Sequence, residues 1–390
     1  MYLHSLSLQH FRNYAQQRVE FAAAKTILVG DNAQGKSNLL ESVAFLATLG
    51  SPRASSDRDL VRGGEDLAQI DAEIERNGAR SSLQAILRRS GRRTVRANGE
   101  TCRRHIDFLG ALNTVEFSCI DIELVRGAPD YRRRWIDRLI VQLEPIYIYI
   151  LREYARILKQ RNAALRKLKG DRHHPIAVTL PALNVQLAAA GTKVIRRRRR
   201  ALDRLAPLAR RWHHAIGGES EDLKIVYRSQ VAEAASADDS KVIQQALLDR
   251  LGGNQSAEYA RGSTLVGPHR DEIELTIDER PARHFGSQGQ QRTLVLATKL
   301  AELEAIEDVV GEPPLLLLDD VLAELDLTRQ NHLLEAIEDR FQTLIATPHL
   351  NAFDAQWLNR SQILTVRAGQ ISTPPQTQLP VRTVAIQSRP

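Results

Sequence analysis

Gly30-Asp31-Asn32-Ala33-Gln34-Gly35-Lys36-Ser37 fits the pattern GxxxxGK[ST], and its flanks decide how it is read. Residues 26–29 are a short apolar run ending in glycine, which predicts a strand. Downstream, Leu39, Leu40, Val43 and Leu46 share helical spacing, which predicts a helix over 38–49. Strand, glycine-bearing turn and helix in that order form a phosphate cradle. The glycines let successive N–H groups face inward, and the helix N-terminus adds partial positive charge. Lys36 is then expected to reach the β- and γ-phosphates of a nucleotide, with the Ser37 hydroxyl on Mg²⁺.

Two further stretches, far along the chain, complete this chemistry. Leu315-Leu316-Leu317-Leu318-Asp319-Asp320 is an apolar strand that ends in two carboxylates. A strand end holds Asp319 rigidly toward Mg²⁺ and leaves Asp320 to polarise an attacking water. Ser287-Gln288-Gly289-Gln290-Gln291 opens a predicted helix over 292–306. Ser287 and Gln290 have capping-box spacing, so a plain helix cap is one reading. The other is a second phosphate device, with Gly289 allowing close approach at a helix N-terminus. Two such devices so far apart suggest that two subunits share each nucleotide.

The rest of the chain divides by composition. Alternating residues around Leu6 and Leu8, over 71–74 and over 81–87 predict strands, and Asn98-Gly99 predicts a hairpin turn after 94–97. From Tyr131 to Ala215 there are 21 Arg plus Lys against 5 Asp plus Glu, in a chain of net charge +7, so the remainder is net acidic. Such a basic region is the footprint of a protein that meets a polyanion with one part, or else a solvated Arg-rich arm. Its candidate contacts are Arg132, Arg133, Arg152, Arg156, Lys159, Arg196, Arg197, Arg198, Arg199 and Arg200. This region is expected to be helical to about residue 251, with breaks at His173-His174-Pro175 and Pro207 and a loop over 229–240. Few aromatic residues interleave with the charges, so phosphate-backbone contact with duplex is expected over base stacking.

The exclusions are simpler. Cys102 and Cys119 form no CxxC pair and suit a reducing cytosol. No run approaches the length of a bilayer span, and no signal peptide is evident, so a cytoplasmic protein with no membrane partner is expected. The histidine pairs at 173–174 and 213–214 lack metal-ligand neighbours and are expected to be exposed.

The order of these three motifs is that of ABC-type ATPases, and Ala323-Glu324-Leu325-Asp326 resembles the D-loop that follows. More specific wording resembles the RecF family of bacterial recombination-repair proteins. It lies in Val125-Arg126-Gly127-Ala128-Pro129, Arg132-Arg133-Arg134-Trp135-Ile136-Asp137 and Gln160-Arg161-Asn162-Ala163-Ala164-Leu165. It continues in Thr264-Leu265-Val266-Gly267-Pro268-His269-Arg270-Asp271-Glu272 and in Ser287-Gln288-Gly289-Gln290-Gln291-Arg292-Thr293. The resemblance covers residues 1 to about 370. It implies an α/β fold, an ABC-type head split in sequence with an inserted α-helical lobe. The expected parts are head over 1–130, basic lobe over 131–254, head again over 255–371 and a flexible tail over 372–390.

The resemblance also implies a homodimer closed around two ATP, in which Ser287 and Gly289 of one copy meet the γ-phosphate held by Lys36 of the other. Asp320 takes the catalytic acidic role, Gln290 and Asp326 join the nucleotide contacts, and Arg53 links nucleotide to DNA. The implied activity is a weak, DNA-stimulated ATP turnover in repair and replication-fork maintenance. Duplex or gapped DNA and the recombination mediator RecR are the implied partners, with recombinase loading at gaps as the outcome. Two departures stand out. Cys119-Ile120-Asp121 replaces the family's Pro-Glu-Asp run, so no Q-loop residue is assigned, with Glu116 and Asp121 as candidates. No switch histidine is evident near Thr347, since His349 lies two positions on. The motifs alone also admit a transporter ATPase subunit, or a DNA scaffold that binds ATP and hardly turns it over.

Overall fold

The computed structural model describes residues 1–171, 174–217, 221–231, 238–337, 340–351, 353 and 355–373. Contacts within the chain divide it into two compact units, Met1–Ile120 with Ile306–Pro390, and Asp121–Ala305. The expected helix breaker His173 and most of the expected tail, 374–390, lie outside the described residues.

The first unit holds two sheets. The antiparallel one contains β1 (Tyr2–Phe11), β2 (Tyr14–Glu20), β4 (Leu67–Arg76), β5 (Ala79–Arg88), β6 (Thr94–Ala97) and β7 (Glu100–Thr101), in the order β2-β1-β4-β5-β6-β7. Asn98 and Gly99 both take positive φ between β6 and β7, as a two-residue hairpin requires. The other sheet runs β15-β14-β3-β13-β12-β8, built from β3 (Lys25–Val29), β8 (Thr114–Ser118), β12 (Leu315–Asp319), β13 (Thr343–Thr347), β14 (Gln362–Arg367) and β15 (Gln370–Ser372). Five of these strands are parallel and β15 closes an antiparallel hairpin. In this order β3 lies between β13 and β14, so the sheet exists only when the two ends of the chain meet. The leucines of β12 are fully buried, as a central parallel strand demands. Helix α1 (Lys36–Thr48) buries Leu39, Leu40, Val43, Phe45 and Leu46 and packs on β8, β12 and β13.

The second unit carries the long helices α2 (Pro129–Leu143), α3 (Tyr147–Gly170) and α4 (Leu180–Gly217), and helix α5 (Gln288–Val310) begins in it. Two expectations change here. The region expected to be helical apart from its breaks and the loop over 229–240 contains β9 (Leu223–Arg228), which pairs antiparallel with β10 (Glu272–Ile277) in the sheet β11-β10-β9, where β11 is Arg280–Pro281. Leu223 and Ile225 alternate inward on β9, a short signal that the surrounding helical sequence outweighs. Helix α4 also runs through Pro207 rather than stopping there. Leu202 and Leu205 before it, and Ala209 and Ile216 after it, bury one continuous face, which offsets the roughly 3 kcal/mol that an interior proline costs.

Much of the distinctive wording of the chain turns out to be internal wiring of this unit. Arg161 and Glu258 form a fully buried ion pair at 2.6 Å, and Arg161 also donates to Thr264 Oγ1 and Asn184 Oδ1. Arg198 makes a two-armed contact with Asp137, each bond 2.8 Å, and donates to the Pro268 carbonyl. Tyr154 and His269 Nδ1 lie 2.6 Å apart, while Tyr227 donates to Asp271. Residues 264–272, 132–137 and 160–165 are thus read by each other.

Candidate nucleotide site

The loop Gly30–Ser37 connects β3 to α1 as expected, and two hairpin turns grip it from outside. Asn13 Nδ2 donates to the Gln34 carbonyl at 2.8 Å and the buried Tyr14 hydroxyl donates to the Gly35 carbonyl at 2.9 Å. From the β14–β15 turn, Gly369 N–H reaches the Gln34 carbonyl and Ala368 N–H the Gln34 side chain. Gly35 has φ 122° and Ala33 φ 64°, the left-handed values that turn N–H groups inward. At Gly30 a Cβ would stand 2.3 Å from the Val366 carbonyl oxygen, so only glycine fits beside β14. Sequence reading missed Asn13 and Tyr14, because nothing local marks a residue that braces a loop many positions away.

Lys36 is buried, its ammonium donating to the carbonyls of Gly30 and Asp31 and lying 4.0 Å from Asp320 Oδ1. Ser37 Oγ donates to Asp319 Oδ1 at 2.6 Å, joining the two motifs across the sheet. Burial pushes the Asp319 carboxyl up, and the Ser37 bond and the Arg53 and Lys36 charges act in the opposite direction. Arg53 is exposed yet close enough for its charge to act on Asp319. Asp320 takes φ 56° at the strand end, its N–H fixed by the Ala346 carbonyl. Its Oδ1 is buried with no hydrogen-bond partner among the described residues. An orphaned carboxylate oxygen beside Ser37, Asp319 and Lys36 fits a polyphosphate site with a divalent cation.

The turn at 287–291 lies in the second unit. Ser287 N–H donates to Gln290 Oε1 at 2.7 Å and Gln290 N–H to Ser287 Oγ at 3.2 Å, a reciprocal capping box. Arg126 Nε donates to Gln291 Oε1, whose amide donates to the Ala282 carbonyl. Arg126 thus explains the stretch 125–129, since it props the turn. Ser287 stays exposed and Gly289 partly so, leaving the helix end open. Asp326 is exposed and paired with Arg329.

The basic residues separate by burial. Arg132 is buried in a two-armed contact with Glu272 and also donates to the Leu124 and Gly127 carbonyls. With Arg198, buried against Asp137, it is corrected from a DNA contact to an internal strut, because its donors are already taken. Arg133 is half-buried and donates to the Asp271 carbonyl. Arg196 and Arg200 pair with Asp238, Arg197 with Glu144 and Arg199 with Asp203. Arg152, Arg156 and Lys159 are exposed along one face of α3, which Arg166 continues. A second basic stretch escaped the sequence reading: Arg88, Arg89, Arg92, Arg93 and Arg96 crowd the β5–β6 hairpin, masked by the acidic average around them.

The remaining candidates resolve as follows. Asp121 pairs with Lys299 at 3.2 Å, while Glu116 belongs to β8. Thr347 Oγ1 donates to the His349 carbonyl, a local turn. His213 is fully buried, contrary to the expected exposure, because α4 turns that face to the core. Among the described residues no group of three or more His, Cys, Asp or Glu is placed to hold a metal, and no helix is long and apolar enough to cross a membrane.

A P-loop on a mainly parallel sheet, an acidic strand end beside it, a capped signature turn and a helical lobe define an ABC-type ATPase head. The chain belongs to the RecF/RecN/SMC N-terminal domain family, whose model matches residues 2–370. It is 61% identical to the DNA replication and repair protein RecF of Trichormus variabilis, over 96% of this chain and 99% of that one. The corresponding protein of Nostoc punctiforme is 58% identical over 95% and 99%. Among solved structures, the recombination mediator protein RecF-ATP in the RecFOR pathway superposes with a TM-score of 0.86 at 30% identity, covering 96% of this chain and 98% of that one.

Proposed function

We propose that this protein is an ATP-dependent DNA-binding switch of recombinational repair and replication-fork maintenance, which holds duplex or gapped DNA as a dimer closed on two ATP. The observation that carries the reading is the Ser37–Asp319 hydrogen bond with the orphaned Asp320 oxygen beside it. Gly30 to Ser37 present inward-facing N–H groups to the phosphates, and Lys36 exchanges its loop carbonyls for phosphate oxygens. Ser37 and Asp319 would hold Mg²⁺, which supplies charge neutralisation when bound. Asp320, fixed through its backbone, orients the attacking water. Ser287 and Gly289 of the second copy close the site, with Gln290 and Asp326 at its edge.

The relatives and the ATP-bound RecF structure support ATP as the nucleotide, and the name RecFOR supports RecR as a protein partner. DNA is met by the exposed face of α3, with Arg53 linking it to the nucleotide, in the cytoplasm and at gaps where a recombinase is loaded. Turnover is slow and stimulated by DNA. The test is duplex and gapped-duplex binding over a salt series, with and without ATP. The expected result is ATP-strengthened binding that weakens steeply with salt. Binding indifferent to both ATP and salt contradicts the reading and favours a transporter subunit, whereas salt-dependent binding indifferent to ATP favours a scaffold.

A further inference from the structure

The signature turn is tied to the end of α4 by a side chain that no motif includes. Gln290 uses both ends of its amide: Oε1 accepts from Ser287 N–H, and Nε2 donates to Glu221 Oε1 at 2.9 Å. Glu221 follows α4 and precedes β9. Its other oxygen stands 3.6 Å from Nε2 of His213, which is fully buried on α4 and has no hydrogen-bond partner for either ring nitrogen among the described residues. Close packing completes the joint: a Cβ at Gly217, the last residue of α4, would lie 3.2 Å from Thr293 Cγ2 on α5 and 3.7 Å from Glu221 Oε2. Gly217, Glu221 and Gln290 thus lock the last turn of α4 to the first turn of α5.

We propose that Glu221 is a positioning residue of the signature turn, clamping Gln290 so that displacement of the Arg-rich helix α4 is transmitted to Ser287. The inference rests on the reading that Ser287 meets the nucleotide of a second copy. Its physical basis is the amide of Gln290. One end caps the helix and the other holds a carboxylate, in a charge-assisted bond stronger than a neutral one. When α4 moves, Glu221 moves with it, and Gln290 must either follow or release the Ser287 N–H. The helix α3, whose exposed basic face meets the polyanion in the proposed function, packs against α4, and the clamp gives the turn a reason to respond.

A swap of the two groups tests the clamp. Gln290→Glu keeps an oxygen for the Ser287 N–H but sets two carboxylates against each other; adding Glu221→Gln returns a donor. Hydrogen exchange of the amides at 287–292 in the full chain is the first readout, and DNA stimulation of ATP turnover the second. Gln290→Glu and Glu221→Ala should each speed exchange in this segment by about tenfold, and the double variant should return within about twofold of wild type. DNA stimulation should fall and recover in the same order. Wild-type exchange in both single variants, or no recovery in the double variant, overturns the clamp. Exchange that follows the swap while DNA stimulation does not overturns the transmission. A wild-type protein whose turnover ignores DNA contradicts the functional reading itself, and the exchange data then still decide the clamp.

Discussion

Asp320 shows how much a single residue depends on its setting. Its left-handed φ is uncommon for a residue other than glycine and is held by the bond from its N–H to Ala346. Asp320→Asn keeps the shape and removes the charge, so ATP turnover should fall by roughly 10²-fold or more with ATP affinity nearly intact. An unchanged rate in a steady-state assay removes Asp320 from the catalytic role. His269 makes a second prediction. Its Nε2 donates to the Thr264 carbonyl and its Nδ1 faces the Tyr154 hydroxyl, an arrangement that suits the neutral ring. Burial first, then the charges of Arg270, Arg133 and Arg161, push its pKa down to about 4. A depressed histidine contributes stability that is full above its unfolded pKa of about 6.5 and is lost as pH falls toward 4. Melting measured across that window should show a loss of about 3 kcal/mol in wild type and a flatter profile in His269→Gln.

At the scale of elements, periodicity served where an element answers mainly to its own sequence. The flanks of 30–37, the leucines of 315–318 and the hairpin at Asn98-Gly99 all formed as their spacing predicts. It failed where tertiary packing decides: β9 is short and drawn into strand pairing by β10, and α4 passes Pro207 because its buried face continues. Charge was legible as a total but not by position, since a count cannot tell a strut from a surface arginine. The distinction gives a prediction. Replacing Arg152, Arg156 and Lys159 together by Ala should leave melting nearly unchanged and weaken duplex binding, with the salt slope smaller by about 0.9 for each phosphate no longer neutralised. Arg198→Ala should instead cost about 3–5 kcal/mol of stability, as breaking a buried pair does. The reverse pattern, measured by calorimetry beside a salt titration, contradicts the separation by burial.

At the scale of the whole molecule, both halves of the nucleotide chemistry are present in one chain but in different compact units. The P-loop, Asp319 and Asp320 were legible because contiguous motifs carry them, while the props Asn13, Tyr14, Arg126 and Glu221 were not, since only folding brings them to the loops they hold. In the proposed dimer the exposed Ser287 turn of one copy completes the site around Lys36 of another. Sedimentation of wild type and Ser287→Arg, with and without ATP and Mg²⁺, tests it most directly. The expected result is that ATP doubles the mass of wild type and leaves Ser287→Arg monomeric, although each chain still binds ATP. Equal ATP-driven dimers of the two proteins, or dimers of wild type that form as readily without ATP, would contradict it.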